Sequence, residues 1–359
     1  MGVQLTVASE EASTLEAVRP DALLTLDFRD PERAAEQACA FARRVPVTAA
    51  LGVDDDTVVA ATAINHALGR PTHPMTAALA ARDKHRQRVT LAERGVPAPA
   101  FSLHAVDEDP ETIAAGAPYP CVLKPLRLSA SRGVIRADSP AGFIAAFHRI
   151  QGILAQPDAA ACWEPARQLL VEEFVPGYEV ALEGLLIAGE LHVLALFDKP
   201  DPLNGPFFEE TIYVTPSRHP ERERAALTEC AAAAARALGL REGPVHAELR
   251  FNDRGPWLIE LAARPIGGRC SAVLRFGTGD EGGGTGGSLE EIILRHALGM
   301  PIPSFERERC AAGVMMIPVP RGGVLREVRG LAESQAVPGV EAVEITAHRG
   351  QQLVPWPEG

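Results

Sequence analysis

At 359 residues, 46% apolar and 23% charged, the chain is long enough for two or three packed units and can bury a sizeable core. Its formal net charge of -12 repels phosphate backbones at long range. Nucleic acid is therefore excluded as an expected partner, and any anionic ligand needs local cations or metal ions to offset that field.

The N-terminal sixteen residues carry acids where a signal peptide carries basic residues, and no uncharged run reaches the ~18 residues that span a bilayer. The expectation is a cytoplasmic protein. Six scattered cysteines (Cys39, Cys121, Cys162, Cys230, Cys270 and Cys310) show no CxxC pair and no nearby histidine at ligand spacing. They are expected as reduced, half-buried thiols rather than a zinc site or disulfide framework.

In chain order, residues 4–8, 22–27 and 46–51 read as strands, and 31–44 and 55–68 as helices. That alternation predicts an abbreviated parallel βα domain over 1–74, closed by the boundary RPTHP. One helix is predicted over 75–94, ended by Gly95 with Pro97 and Pro99 beyond. The region after it changes character, with strands in hairpin pairs: 121–124 with 134–137, 178–187 with 190–198, and 245–251 with 257–262. Helices are predicted after Ser139 as N-cap, over about 220–240 in an alanine-rich run, and after Ser288 with Glu291 as a capping box. Beyond 301 come short β-like runs at 312–318, 323–329 and 340–345, with no helical pattern and no internal repeat.

The stretch GTGDEGGGTGG (277–287) contains a formal GxGxxG, but it lies far from the N-terminal βα region. It also places Asp280 and Glu281 where a pyrophosphate would sit. It is expected to be a flexible loop.

Three segments carry chemistry. In CVLKPLRLSASRGVIRA a strand delivers Lys124 to a loop of small and polar residues (Ser129, Ala130, Ser131, Arg132, Gly133), which suits backbone groups and hydroxyls closing over phosphates. A serine-glycine hairpin turn beside a solvated lysine is the plainer alternative. In QLLVEEFVPGYEVALEGLLIAG the second strand alternates strictly, so Glu179, Ala181 and Glu183 share one face. Glu179 could accept from ribose hydroxyls, or simply lie on a solvated face.

The third segment, HAELRFNDRGPWLIELAARPIGG, is the most telling. With a five-residue loop (252–256), Phe251 pairs with Trp257 and Glu248 falls opposite Glu260. Two opposed glutamates repel. A divalent cation between them reverses that sign, and carboxylate oxygens suit magnesium bridging to phosphates. Parity puts Arg264 on that side, available to charge developing on a phosphoryl group or tetrahedral intermediate.

In this order and spacing the three segments resemble the ATP-grasp superfamily, roughly over residues 83–300. A fourth element, RDKHRQRVTLAERGVPAP, looks like the family's leading helix. The resemblance implies that Lys84 reaches the ATP phosphates, that Lys124 contacts phosphate or adenine, and that Ser129, Ser131 and Gly133 fold over the phosphates. It implies that Glu172, Glu173, Phe174 and Val175 read adenine, largely through backbone groups, and that Glu179 takes the ribose. Glu248 and Glu260 match the magnesium ligands (one or two ions, with manganese as a substitute), and Arg264 the arginine near an acyl phosphate. Where many members carry an asparagine ligand, this chain has Ala262, which has no oxygen to offer a second metal ion.

The pattern IELAARPIGG looks similar to the amino-acid ligase branch, the dipeptide-forming ligases. The implied fold is α/β plus α+β: the βα domain (1–74), an ATP-grasp domain of two α+β subdomains (75–300) and a small β-rich C-terminal domain (301–359). The implied activity is ATP-dependent carboxylate–amine ligation through an acyl phosphate, with small-molecule carboxylate and amine partners and neither nucleic acid nor membrane. Nothing excludes a homodimer. Glu209 and Glu210, in GPFFEETIYVTP, are candidates to meet the amine, with Gly267 and Gly268 as further substrate positions. The alternatives are a purine-biosynthesis-like carboxylate or carbamate ligase, and a non-catalytic nucleotide-binding protein.

Overall fold

A computed structural model describes residues 2–358 apart from 12, 14, 16, 17, 127, 161–166 and 278–285. The glycine-rich loop expectation, and that for Cys162, lie outside the described residues.

The N-terminal strands β1 (Val7–Ser9) and β2 (Leu23–Thr25) pair in parallel. Helix α1 (Pro31–Ala42) starts where Asp30 accepts from the Arg33 N–H and Pro31 presets the first turn. It packs on α2 (Thr57–Ala67) through Ala34, Ala38, Ala60 and Ile64. The third strand expected at 46–51 does not form. Both backbone groups of Ala50 are taken by the Asn65 side chain, at 2.9 and 2.8 Å, so that residue pairs with a helix side chain instead of a ladder.

The single helix expected over 75–94 is two helices, α3 (Met75–Arg82) and α4 (Lys84–Glu93). Asp83 is extended (φ -96, ψ 108) and its side chain accepts from the Arg86 N–H. A good N-cap inside an apolar pattern lets the chain restart, and the break puts Lys84 at the first turn of a new helix.

A four-stranded antiparallel sheet follows, built from β3 (Phe101–Ala105), β4 (Cys121–Pro125), β5 (Ile135–Ala137) and β6 (Gln168–Glu173) in the order β3-β6-β4-β5. Helices α5 (Pro110–Gly116), α6 (Pro140–Leu154) and α7 (Pro157–Ala160) punctuate it, and α5 and α6 cover one face through Ile113, Phe143, Phe147 and Ile150.

The larger sheet contains β7 (Tyr178–Ile187), β8 (Glu190–Lys199), β9 (Ile212–Thr215), β10 (Gly243–Asn252), β11 (Gly255–Ala262) and β12 (Ala312–Met315), ordered β11-β10-β7-β8-β9-β12. Both faces are covered. Val180, Leu182 and Leu186 pack under α3, α4 and α8 (Glu221–Leu238), while Ala181 and Leu185 face residues 266–276 and α9 (Leu289–Ala297). That double cover leaves β7 buried along nearly its whole length, Glu179 and Glu183 included.

Beyond 301 the chain carries β13 (Gly323–Val324), α10 (Leu331–Gln335) and β14 (Gln352–Leu353), with no strand at 340–345. The helix was not expected, since five residues are too few for a helical period to show. Cys121, Cys230 and Cys270 are fully buried, Cys39 half-buried and Cys310 exposed, all free. No helix among the described residues is long and apolar enough to cross a membrane.

Candidate active site

The smaller and larger sheets both contribute to the lining of one cleft. Lys84, Lys124, Ser129, Ser131, Glu172–Val175, Glu179, Glu210, Glu248 and Glu260 all line it. Residues spread over 177 positions of sequence therefore meet at one place, and the reason lies in how the elements dock.

Helix α4 is fastened to the edge strand β11 by two adjacent side chains. The Gln87 amide accepts from Leu261 N–H at 3.0 Å and donates to Leu261 C=O at 2.8 Å, standing in for a neighbouring strand. Arg88 donates to Ile259 C=O alongside it. With α4 held there, Lys84 Nζ lies 3.3 Å from Glu260 and 3.1 Å from Leu128 C=O. Neither Gln87 nor Arg88 stood out in the sequence, because a buried polar residue on a helix looks like a solvated one until its partner is known.

On the smaller sheet, Val122 is the register partner of Glu172, so Lys124 projects on the same face diagonally. Its ammonium lies 2.8 Å from Glu172, and Arg88 Nε lies 2.6 Å from the other carboxylate oxygen. Burial alone would raise the Glu172 pKa, but Arg88 and Lys124 outweigh it and bring it to about 2. Glu172 is thus more than a backbone hinge position: its side chain sets the charge of this wall. The loop after Lys124 turns through left-handed backbone at Ala130 (φ 53), Ser131 (φ 56) and Gly133 (φ 72). A Cβ at Gly133 would come within 2.8 Å of the Pro125 ring, which requires glycine.

The loop is also held from the far end of the chain. Gly133 N–H donates to Pro357 C=O at 3.0 Å, Arg132 Nε to Glu358 C=O at 2.9 Å, and Arg149 grips the Glu358 carboxylate with two nitrogens.

The opposite wall has the reverse composition. Glu179 stands between cross-strand partners Lys199 and Arg250 and accepts from both at 2.8 Å. Lys199 Nζ, almost wholly buried, also pairs with Glu210 and lies 3.4 Å from Glu248. The carboxylate oxygens of Glu179, Glu210 and Glu248 lie within 4.8 Å of one another. Burial first, then the neighbouring Glu248, pushes the Glu210 carboxyl up to about 8. Burial works against the charged form of Lys199 as well, yet the surrounding carboxylates hold its pKa well above normal.

Lys199 was missed. Counting back from the Ala188-Gly189 turn sets Asp198 opposite Glu179, and a bulge in β8 moves Lys199 into that place.

Glu248 pairs with Glu260, as the parity argument required, though by a different route. The loop is two residues, with Asn252 paired to Gly255, and a bulge beyond Leu249 restores the glutamate pair. Each glutamate has its own lysine, at 3.4 and 3.3 Å, so their repulsion is eased within the chain. These distances leave the carboxylates free to accept a further cation, and an all-oxygen donor set suits magnesium. Ala262, buried opposite His246, contributes nothing to it.

Other candidates separate. Arg264 does not line the cleft; its Nε donates to Asp55 at 2.8 Å, and it feels the charges of Glu260 and Glu248. The segment 207–210 is a two-sided wall. Phe208 and Glu210 face the cleft, whereas Phe207 and Glu209 face a second cavity with Trp356 and several prolines. Glu209 is thus turned away from the charged cluster. Gly267 and Gly268 follow Arg264 off the cleft, and Gly268 packs against Met316.

Two sheets lining a cleft with lysines, a glycine-bearing loop and opposed glutamates agree with the match of residues 117–273 to the ATP-grasp domain. Among solved structures, L-amino acid ligase from Bacillus licheniformis superimposes with a TM-score of 0.74 at 26% identity, over 94% of this chain and 79% of that one. Dapdiamide A synthase of Enterobacter agglomerans is 31% identical over 193 residues, 53% of this chain and 43% of that protein. Carnosine synthase 1 of Gallus gallus is 30% identical over 355 residues, 92% of this chain and 37% of that protein. The chain thus spans less than half the length of these two curated relatives.

Proposed function

We propose that the protein is an ATP-dependent carboxylate–amine ligase, forming an amide or peptide bond with an amino acid as one substrate. The observation that carries this reading is the convergence of Lys84, Lys124, loop 129–133, Glu172–Val175, Glu248 and Glu260 on one cleft. The likeness to L-amino acid ligase over nearly the whole chain favours the amino-acid branch over the purine-biosynthesis-like one. We read 1–74, 75–300 and 301–359 as its three units.

In this reading a carboxylate attacks the γ-phosphate of ATP, ADP leaves, and an amine displaces phosphate from the acyl phosphate. Lys84, Lys124 and the 129–133 loop hold the phosphates, residues 172–175 the adenine and Glu179 the ribose. Glu248 and Glu260 would hold magnesium, which neutralises charge on the transferring phosphoryl group. Arg264 would leave Asp55 to meet charge on the acyl phosphate or the tetrahedral intermediate. Glu210, beside Tyr213 and Lys199 on the cleft lining, would be the residue to meet the amine substrate. Positioning and electrostatics supply most of the rate, so no nucleophilic side chain is required.

The test is ADP formation with magnesium across pairs of amino acids. ADP release that depends on both a carboxylate and an amine is expected. ATP turnover indifferent to both, or none with tight ATP binding, would overturn the reading.

A further inference from the structure

Beneath the Arg264 loop lies an acid that the proposed reaction does not use. Glu183 is 0% exposed, midway along β7. Its Oε2 accepts the Ile266 N–H at 3.0 Å, and its Oε1 has no partner. Across the ladder stands His246, with Nδ1 3.9 Å from Oε2 and also without a hydrogen-bond partner. Among the described residues no lysine or arginine lies within ion-pair distance of Glu183. Its neighbours on this face of the sheet include Ala181, Leu185, Ile266 and Cys270, a setting that leucine would fill without the cost of burying a carboxyl group.

What the acid does make is one hydrogen bond, to a loop. Ile266 is two residues past Arg264, and the next two residues are Gly267 and Gly268, the latter at φ +60. A glycine pair leaves the chain its greatest freedom, so the Ile266 amide is the last fixed point before it. From the other side, Asp55 holds the guanidinium itself. We propose that Glu183 is a positioning residue, fixing loop 264–268 to the sheet through the Ile266 amide and so setting where Arg264 stands. This rests on the ligase reading for its catalytic consequence, though not for the anchoring. Burial pushes the Glu183 carboxyl well above the usual range, against the Ile266 hydrogen bond and the charge of Arg264. A neutral acid is matched in shape and hydrogen bonding by glutamine.

The test compares Glu183→Leu and Glu183→Gln by amide exchange of residues 264–268, steady-state kinetics and thermal melts on the intact chain. Leucine should speed exchange in this loop about tenfold and lower kcat by about 10- to 100-fold, with the KM for ATP within about twofold. Glutamine should restore both. Unchanged exchange and kcat in the leucine variant, or glutamine as damaging as leucine, would overturn the proposal. If leucine does not fold, the glutamine variant decides, since full protection and kcat there support the hydrogen bond and their loss rejects it. A wild-type protein with no amine-dependent ADP formation would remove the ligase reading instead, leaving the exchange data to judge the anchor.

Discussion

The two walls of the cleft solve the problem of buried charge in opposite ways. On the small sheet one carboxylate, Glu172, sits between two cations, Arg88 and Lys124, with Lys84 nearby. On the large sheet three carboxylates, Glu179, Glu210 and Glu248, surround one ammonium with Arg250 behind. The first cluster carries an excess of one positive charge, whereas the second is balanced while the Glu210 carboxyl, raised to about 8, keeps its proton, and gains one negative charge when that proton leaves. A strongly acidic chain thus keeps a cation-rich surface and an acid-rich one on the lining of a single cleft.

The largest expected effect comes from breaking the cation-rich wall. Arg88→Leu leaves a fully buried carboxylate with one partner, and should cost about 3 kcal/mol or more in urea unfolding. A loss below about 1 kcal/mol would mean that Lys124 alone suffices.

Titration should separate the walls by sign. Glu172 is depressed to about 2 from 4.5, so its stabilisation is present above 4.5 and lost as pH falls towards 2. Glu210 is raised to about 8, so its contribution is present below 4.5 and lost as pH rises towards 8. Unfolding free energy against pH should therefore lose its acid limb in Glu172→Gln and its alkaline limb in Glu210→Gln. The same limb lost in both would erase the contrast.

The two lysines should also differ. Lys84→Ala and Lys124→Ala should each weaken ATP binding about tenfold, as expected when one charge-assisted phosphate contact is lost. Only Lys124→Ala should lower the melting temperature, because only Lys124 serves Glu172. Calorimetry beside a melt checks both, and equal melts would show that Arg88 carries Glu172 alone.

The smallest change is expected at the rim. Asp55→Asn frees a partly exposed Arg264, and should cost under about 1 kcal/mol of stability. A larger loss in denaturant would make Asp55 a structural tie between the N-terminal unit and the cleft.

Much of this site was legible in the sequence because strand parity is unforgiving. Glu179 sharing a face with Glu183 follows from alternation alone, whereas Glu248 meets Glu260 only because a bulge offsets the shorter turn. What parity cannot supply is a bulge. The bulge in β8 brings Lys199 to Glu179, and the one beyond Leu249 corrects a turn that was counted three residues too long. Nor does local pattern reveal contacts made over long separations, such as Gln87 with Leu261 or Asp55 with Arg264. The break at Asp83 was readable in principle, since aspartate before a basic run is a good cap, but the apolar period on either side concealed it.

The clasp between loop 129–133 and residues 357–358 joins positions more than two hundred apart in sequence. The loop's resting posture is therefore governed partly from outside the nucleotide site. Loosening the Arg149–Glu358 grip would act as a rheostat on how firmly the loop is held, without removing any group that lines the cleft. For an engineer this offers a handle on nucleotide residence time at a surface position, with the charged interior of the cleft left as it is.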